Sequence, residues 1–222
     1  MLADGRLGTL VGVEVFQGAA VGEAEPPSGQ PGHWKAALPG GVLYDLAPHP
    51  AYMLRGLVGA IGNVQVMTRT DDAGRLRELR AIVAGERALG GLTISLETRP
   101  FMNRVTLCGT VMSAELNLNN MTLVLRRTHR APKVIGKVLP NLDEAAQLLY
   151  ATLRNGIEFA RGRQRYYPGM GVHFRTLYQA LADGEPPPVT AEEGRDAVSL
   201  LQELWERAGV IMGASVRRVA RA

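Results

Sequence analysis

The sequence predicts an α+β fold in which an open, largely antiparallel β-sheet carries helices packed on one face. Three observations lead to this expectation. An alternating strand near the N-terminus precedes a helix, a run of alternating segments with hairpin signals follows, and the last third of the chain has only helical periodicity. Because strands and helices are segregated along the chain, we expect one domain over residues 1–222 with separate sheet and helix layers.

Strands are predicted where apolar and polar residues alternate. In the first, Thr9–Phe16, residues Val11, Val13 and Val15 alternate with Gly12 and Glu14. The segment Leu76–Val83 fits both a helix and a strand, and the glycines that follow it favour a strand leading into a hairpin. The remaining predicted strands are Val64–Thr68, Leu92–Thr98, Arg104–Cys108, Ala114–Leu118 and Met121–Arg127.

Two turns are predicted between these strands. Asp71 to Gly74 has the composition of a turn, and the pair Asn119-Asn120 separates the last two strands. Since Asn tolerates the left-handed conformation that tight hairpins need, we expect the Asn pair to adopt it.

Four helices are predicted from caps and periodicity. The first starts near Pro48 and stops around Gly59 to Gly62, since proline is tolerated only in the first turn. A helix from Pro168 to Ala182 ends at Gly184. Another begins at the T-x-x-E box of Thr190 and Glu193 and runs through Leu200, Leu201, Leu204 and Trp205 to Gly209.

A long helix begins at an apparent capping box, Asn141 with Glu144, and its expected buried stripe is Leu142, Ala145, Leu149, Leu153 and Ile157.

The composition is that of a soluble globular protein, with 46% hydrophobic and 21% charged residues. The net charge of +4 comes mainly from scattered arginines without the interleaved aromatics typical of nucleic-acid binding. Cys108 lies among apolar residues and is expected to be buried, and a lone cysteine fits a reducing compartment. The sequence MLADGRLG is not a secretory leader, and no apolar window is long enough to cross a membrane. We therefore expect a cytoplasmic protein.

The stretch from Pro39 to Tyr52 concentrates more chemistry than any other segment. It holds a Gly-Gly turn, two prolines, and the side chains of Asp45 and His49, four residues apart at a helix start. Two interpretations remain open from the residues alone. Asp45 and His49 are either a helix cap and a satisfied histidine, or a carboxylate and imidazole placed for proton transfer.

Common cofactor motifs are absent from the sequence. Neither G-x-G-x-x-G after a strand nor G-x-x-x-x-G-K-[ST] occurs, so neither common nucleotide-binding loop is present. The four histidines show no zinc-site spacing, which argues against a dedicated metal site. Tyr166 and Tyr167 precede a helix and either line a ligand pocket or pack, and the Gly- and Pro-rich run from Gly18 to Gly32 is a long loop.

Three segments together resemble the C-terminal domain of the glucose-fructose oxidoreductase/inositol dehydrogenase family, Gfo/Idh/MocA, over nearly the whole chain. GRLGTLVGVEV is similar to that domain's entry strand, and PGGVLYDLAPHPAYML to its G-G-G-x-L-x-D-x-G-x-H-x-x-D signature. FRTLYQALADGEPPPVTAEEGRDAVSLLQEL resembles its closing helices. The sequence departs from the signature at Pro39, Ala47 and Tyr52, which stand for two glycines and the final aspartate.

The resemblance implies roles for individual residues. Asp45 falls on the signature's aspartate and His49 on its histidine, so His49 is expected as the catalytic acid/base and Asp45 as its support. Histidine suits proton transfer because the ordinary pKa of imidazole, about 6.5, lies near working pH. Lys35, Tyr52 and Tyr167 are the candidate substrate-binding residues. The aspartate's replacement by Tyr52 puts that position's hydroxyl contacts in question.

The resemblance also implies a function that needs a second domain. Family members begin with a Rossmann domain that binds NAD or NADP, and the expectation is that this chain lacks it and binds no dinucleotide by itself. We therefore expect the substrate-binding and oligomerisation part of a dehydrogenase acting on a sugar, polyol or related hydroxy compound. The alternative is a non-catalytic assembly or small-molecule-binding protein. The open sheet face needs a cover, which we expect to be a homo-oligomer contact.

Overall fold

The computed structural model describes residues 4–20, 38, 41–72, 74–128, 132, 135–163 and 168–209. The strands in these ranges are β1 (Leu10–Gly18), β2 (Ile61–Thr70), β3 (Leu76–Gly85), β4 (Leu89–Ser95), β5 (Met102–Gly109), β6 (Met112–Asn117) and β7 (Thr122–Arg127). The helices are α1 (Val42–Leu46), α2 (Pro48–Val58), α3 (Ile135–Ala160), α4 (Pro168–Asp183) and α5 (Ala191–Arg207). None of these helices is both long and apolar enough to cross a membrane.

The strands form one seven-stranded sheet in the order β2-β3-β4-β1-β5-β6-β7. Two antiparallel three-stranded meanders, β2–β4 and β5–β7, flank the central strand β1. Val15 of β1 lies opposite Leu92 of the parallel strand β4 and opposite Val105 of the antiparallel strand β5. The predicted α+β fold with a largely antiparallel sheet is thus confirmed, and the one parallel pairing was not foreseen.

Helices α1, α2 and α5 cover the sheet on one face, which confirms the predicted layer. Leu54 and Val58 of α2 and Leu204 and Trp205 of α5 are fully buried in the core with the sheet residue Leu92. This side-by-side burial of apolar surface is the main stabilising term of the layer. Helix α1, which was not predicted, joins the layer through Tyr44, whose ring stacks on the Trp205 ring with centroids 5.4 Å apart.

Helix α5 begins and ends as its sequence predicts. The Thr190 side chain accepts a hydrogen bond from the Glu193 backbone N–H, and the Glu193 carboxylate accepts one from the Thr190 N–H. The helix stops before Gly209, which has a φ of 68°. Between α5 and α2, the Arg55 guanidinium donates to the Asp196 carboxylate at 2.7 Å, so a half-buried ion pair fixes the two helices to each other.

Both predicted turns are present. At the β2–β3 turn the Asp71 carboxylate accepts from the Arg75 backbone N–H and from the side chains of Arg77 and Arg75, which lowers the pKa of Asp71 to about 2. The β6–β7 turn includes Asn119 and Asn120 as predicted, but its left-handed residue is Met121, with a φ of 53°, so the conformation expected of the Asn pair was wrong. The Asn117 side chain stabilises this turn by accepting from the N–H groups of both Asn119 and Asn120.

Two predictions of burial were also wrong. Cys108 is exposed because Leu107, its neighbour in β5, takes the position that faces the core. Helix α3 begins at Ile135, well before the supposed box at Asn141, and its expected buried stripe is exposed: Leu142 by 60%, Leu149 by 62%, Leu153 by 59% and Ile157 by 49%. The periodicity identified the apolar stripe correctly, but in this chain the stripe faces away from the sheet.

Candidate functional site

His49 lies in the first turn of α2, where the chain passes directly from one helix to the next. Ala47 ends α1 and is the N-cap residue of α2, and no side chain caps α2. Asp45 is therefore not the N-cap residue of α2. Asp45 is half-buried on α1, whereas His49 is exposed.

A cavity of about 620 Å³ opens beside His49, a volume in the range of small-molecule sites. It lies where the C-terminal end of β1, the start of β5, the first turns of α2 and the N-terminal half of α5 meet. Most of its wall is apolar, with a few polar groups. Its described lining residues are Gln17, Pro48, His49, Tyr52, Met53, Asn103, Leu118, Gly194, Ala197, Val198 and Leu201.

Two neighbouring amides form the polar part of this wall. Gln17 in β1 and Asn103 in β5 are paired across the two strands, and both line the cavity. Gln17 is only 4% exposed. Its Oε1 atom and the Oδ1 atom of Asn103 are buried and accept no hydrogen bond from the described residues. Buried polar groups without a partner are costly, so this pair is suited to a ligand that supplies hydrogen-bond donors.

Tyr52 follows His49 by one helical turn and lines the same cavity. Burial raises the pKa of the Tyr52 phenol, and the nearby charge of Glu193 raises it further. The phenol therefore keeps its proton at neutral pH. His49, Tyr52 and the two amides together offer donors and acceptors around an otherwise apolar space.

The structure brings together some of the predicted site residues and not others. His49 and Tyr52 line one cavity, and Asp45 is not among its lining residues. Lys35 and Tyr167 lie outside the described residues. In the part of the chain that the structure describes, no cluster of His, Cys, Asp and Glu could hold a metal ion.

Gln17 and Asn103 were missed at the sequence level, although the sequence carries a signal for them. Gln17 continues the alternation of Val13 and Val15, and Asn103 precedes the alternating pair Val105 and Leu107. A polar residue at a position that alternation assigns to the core is unusual, and such residues often serve a site.

The comparison with known families decides the relationship. A family model described as GFO/IDH/MocA C-terminal domain matches residues 1–115. The chain belongs to the Gfo/Idh/MocA family. The match includes β1, α1, α2 and β5, which carry His49, Tyr52, Gln17 and Asn103, whereas the wall that α5 contributes to the cavity lies beyond residue 115.

Solved structures of Gfo/Idh/MocA dehydrogenases share the fold. WlbA dehydrogenase from Bordetella pertussis, in complex with NADH and UDP-GlcNAcA, matches 94% of this chain and 56% of its own with a TM-score of 0.59 and 15% identity. UDP-N-acetylglucosamine 3-dehydrogenase GnnA from Acidithiobacillus ferrooxidans matches 96% of this chain and 58% of its own, with a TM-score of 0.62 and 13% identity. Levoglucosan dehydrogenase, in complex with NADH and levoglucosan, matches 94% of this chain and 59% of its own, with a TM-score of 0.63 and 16% identity. This chain thus spans less than three-fifths of each of these proteins, and no curated protein sequence matches it.

Proposed function

We propose that this chain is the substrate-binding part of a NAD(P)-dependent oxidoreductase acting on a sugar, polyol or related hydroxy compound. The observation that carries the proposal is the cavity lined by His49 and by the side chains of Gln17 and Asn103, whose buried amide oxygens accept no hydrogen bond from the described residues. Membership of the Gfo/Idh/MocA family and the dehydrogenase structures with the same fold support it.

The polar wall is suited to a compound with several hydroxyl groups. Each hydroxyl both donates and accepts a hydrogen bond, so it can satisfy the amides of Gln17 and Asn103 and the phenol of Tyr52. The apolar wall, including Met53 and Leu201, suits the C–H face of a sugar ring. A ligand bound there would have a hydroxyl within reach of the exposed imidazole of His49.

His49 would act on the proton of that hydroxyl. Oxidation of an alcohol to a carbonyl removes a proton from oxygen and a hydride from the adjacent carbon. In the proposal, a ring nitrogen of His49 accepts the proton, and Gln17 and Asn103 hold the neighbouring hydroxyls. Asp45, which lies two residues before Ala47 at the α1–α2 junction, is proposed to support His49 indirectly.

The described residues do not fit a dinucleotide. None of the residues that line the cavity is Lys or Arg, and no glycine fingerprint follows β1. The proposal therefore assigns the hydride acceptor, NAD or NADP, to a separate Rossmann domain, and the isolated chain is expected to bind substrate without turnover. Lys35 and Tyr167 remain proposed substrate contacts.

The proposal is tested first by binding. Thermal melting of the purified chain is measured with a panel of polyols, hexoses and nucleotide sugars, and at least one class is expected to raise the melting temperature. A ligand at 100 times its Kd stabilises a protein by about 2.7 kcal/mol, which is readily measured. Turnover of these compounds with NAD(P) by the chain alone would contradict the assignment of the dinucleotide to another domain.

The role of His49 is tested in the enzyme assembled with its dinucleotide-binding domain. His49→Ala is expected to lower kcat by about 10²- to 10⁴-fold, the usual contribution of general acid–base catalysis. The matched control is His173→Ala, since His173 is an exposed histidine on α4. Undiminished activity of His49→Ala would remove His49 from the mechanism and favour a non-catalytic binding protein.

A further inference from the structure

Helix α3 contacts its own sheet through its polar side. The half-buried residues of this helix include Glu144, Gln147, Ala151 and Asn155, which recur at helical spacing along one side. The large apolar residues of α3 lie on the opposite side and are exposed. An amphipathic helix ordinarily turns its apolar side to its own core, so the orientation of α3 is inverted.

Specific hydrogen bonds fix this orientation. Strand β7 is at the edge of the sheet, and the Gln147 side chain satisfies both outward backbone groups of Leu125, accepting from its N–H at 2.8 Å and donating to its carbonyl at 2.9 Å. The Asn155 side chain donates to the Met121 carbonyl, and the Arg126 guanidinium donates to Glu144. These contacts protect the sheet edge, and rotating the helix to bury its apolar side would break all of them.

The exposed side has the seven-residue repeat of a coiled coil. With Leu139 at an a position, the a and d positions alternate along the whole helix at spacings of three and four residues. All of these residues are exposed in the protomer. They are Ile135, Leu139, Leu142, Ala146, Leu149, Leu153, Gly156 and Ala160, and we refer to them as the α3 seam.

We propose that the α3 seam pairs with the same seam of a second copy of this chain as an antiparallel two-stranded coiled coil. One antiparallel register uses every seam position and places large side chains against small ones or against each other. Its layers are Ile135 with Ala160, Leu139 with Gly156, Leu142 with Leu153, and Ala146 with Leu149. Alternation of large and small residues across facing positions is what fills such an interface without voids.

A parallel pairing of the same helices packs less well. It places Gly156 on Gly156 and Ala146 on Ala146, so layers with little or no side-chain volume interrupt the layers of two leucines. Voids of this kind cost stability because their lining atoms lose contacts. Size complementarity therefore selects the antiparallel arrangement.

The residues that flank the seam fit a second copy rather than a charged partner. Among the e and g positions of the repeat, only Asp143 is charged. In this register Asp143 lies on the same side of the coiled-coil interface as Arg154 of the second copy. No like charges face each other at these positions. The remaining flanking residues are Gly136, Val138, Ala145, Tyr150, Thr152, Ile157 and Phe159.

The first test measures the mass of the full chain in solution by light scattering. The double variant Leu149→Glu with Leu153→Glu places four charges in the centre of the interface and is expected to halve the mass, with its helical circular dichroism unchanged. The matched control is Leu181→Glu on α4, a leucine of similar exposure outside the seam, which is expected to keep the wild-type mass. An unchanged mass of the double variant would overturn the proposal.

The second test reads the direction and register by disulfide cross-linking in a Cys108→Ser background. Leu139→Cys with Gly156→Cys in one chain is expected to give covalent dimers, because the two positions face each other across the interface. They are about 25 Å apart within one helix, so they cannot form an intrachain bond. Leu139→Cys alone is expected to remain monomeric on non-reducing gels. Dimers from that single variant would show a parallel pairing and overturn the antiparallel one.

Discussion

Gln17 occupies a position in β1 that the alternation of Val13 and Val15 assigns to the core. Its side chain is buried, and its Oε1 atom has no hydrogen-bond partner in the described part of the chain. A buried unpaired amide lowers the stability of the unliganded protein. In our proposal, a substrate hydroxyl that binds to this amide offsets the cost. The same side chain therefore lowers the stability of the unliganded protein and favours substrate binding.

Replacing Gln17 with Met tests whether this side chain lowers the stability of the unliganded protein and favours substrate binding. Met is similar in size and has no group that needs a hydrogen bond, so we expect the unliganded protein to gain stability, by about 1–3 kcal/mol. The same variant is expected to lose the ligand-induced rise in melting temperature. Thermal and urea unfolding, each with and without ligand, measure both effects.

The control for this prediction is Gln65→Met on the exposed side of β2, where no change in stability or ligand response is expected. A loss of stability in Gln17→Met would show that the native amide is satisfied and would contradict the proposed role of this wall.

At the residue scale, the sequence identified His49 and Tyr52 as candidates because motif and spacing are local features. It could not show that Gln17 and Asn103 are neighbours, since they come together only when β1 pairs with β5 across more than eighty residues of chain. The partner of a buried polar group is a property of the tertiary structure, so only the anomaly in the alternation was visible beforehand.

The position of α2, which carries His49, depends on glycines in the strands beneath it. A Cβ atom at Gly85 would lie 2.5 Å from the Val58 Cβ and 2.7 Å from the Val58 carbonyl oxygen. A Cβ at Gly90 would lie 2.7 Å from a Leu54 methyl group. The missing side chains therefore let the C-terminal half of α2 approach β3 and β4 closely.

We predict that Gly85→Ala destabilises the protein by about 1–3 kcal/mol, the usual range for overpacking a core. The backbone carbonyl of Val58 cannot move aside as a flexible side chain can, so the end of α2 must shift. Urea unfolding measures the loss of stability. Gly56→Ala is the matched control, because a Cβ there meets no atom within 4 Å and helical alanine is favoured over glycine by about 0.5–1 kcal/mol.

At the element scale, the sequence predicted all seven strands and four of the five helices that the structure describes, because alternation, caps and glycine stops are encoded locally. Helix α1 was missed because it is only five residues long and Pro48 begins a second helix directly after it. The prediction for α3 went wrong in a different way. Periodicity locates an apolar stripe, but which neighbour covers the stripe is decided by the polar contacts of Gln147 and Asn155 with β7.

At the scale of the whole molecule, the described residues include a second exposed apolar surface, on the sheet face opposite α2 and α5. Met67 is 78% exposed, and Ile82 and Leu89 are each 62% exposed, on the strands β2, β3 and β4. We propose, as the sequence led us to expect, that this face forms a homo-oligomer contact. Exposed apolar clusters of this kind commonly mark interaction surfaces.

If both contacts form, the assembly is a tetramer with two kinds of interface. We predict that Ile82→Glu halves the mass measured by light scattering, as the α3 seam variant does, and that combining the two gives a monomer. Leu181→Glu again serves as the control. A mass unaffected by Ile82→Glu would exclude the sheet face as an interface.

The central place of β1 also bears on how the chain folds. Its neighbours β4 and β5 follow it by more than seventy residues, whereas each flanking meander is built from strands adjacent in sequence. During synthesis β1 leaves the ribosome before β4 and β5 are made, so the apolar side chains of Val13 and Val15 stay exposed until those strands form. The meanders can form early and separately, and insertion of β1 between them is the long-range step that we expect to limit the folding rate.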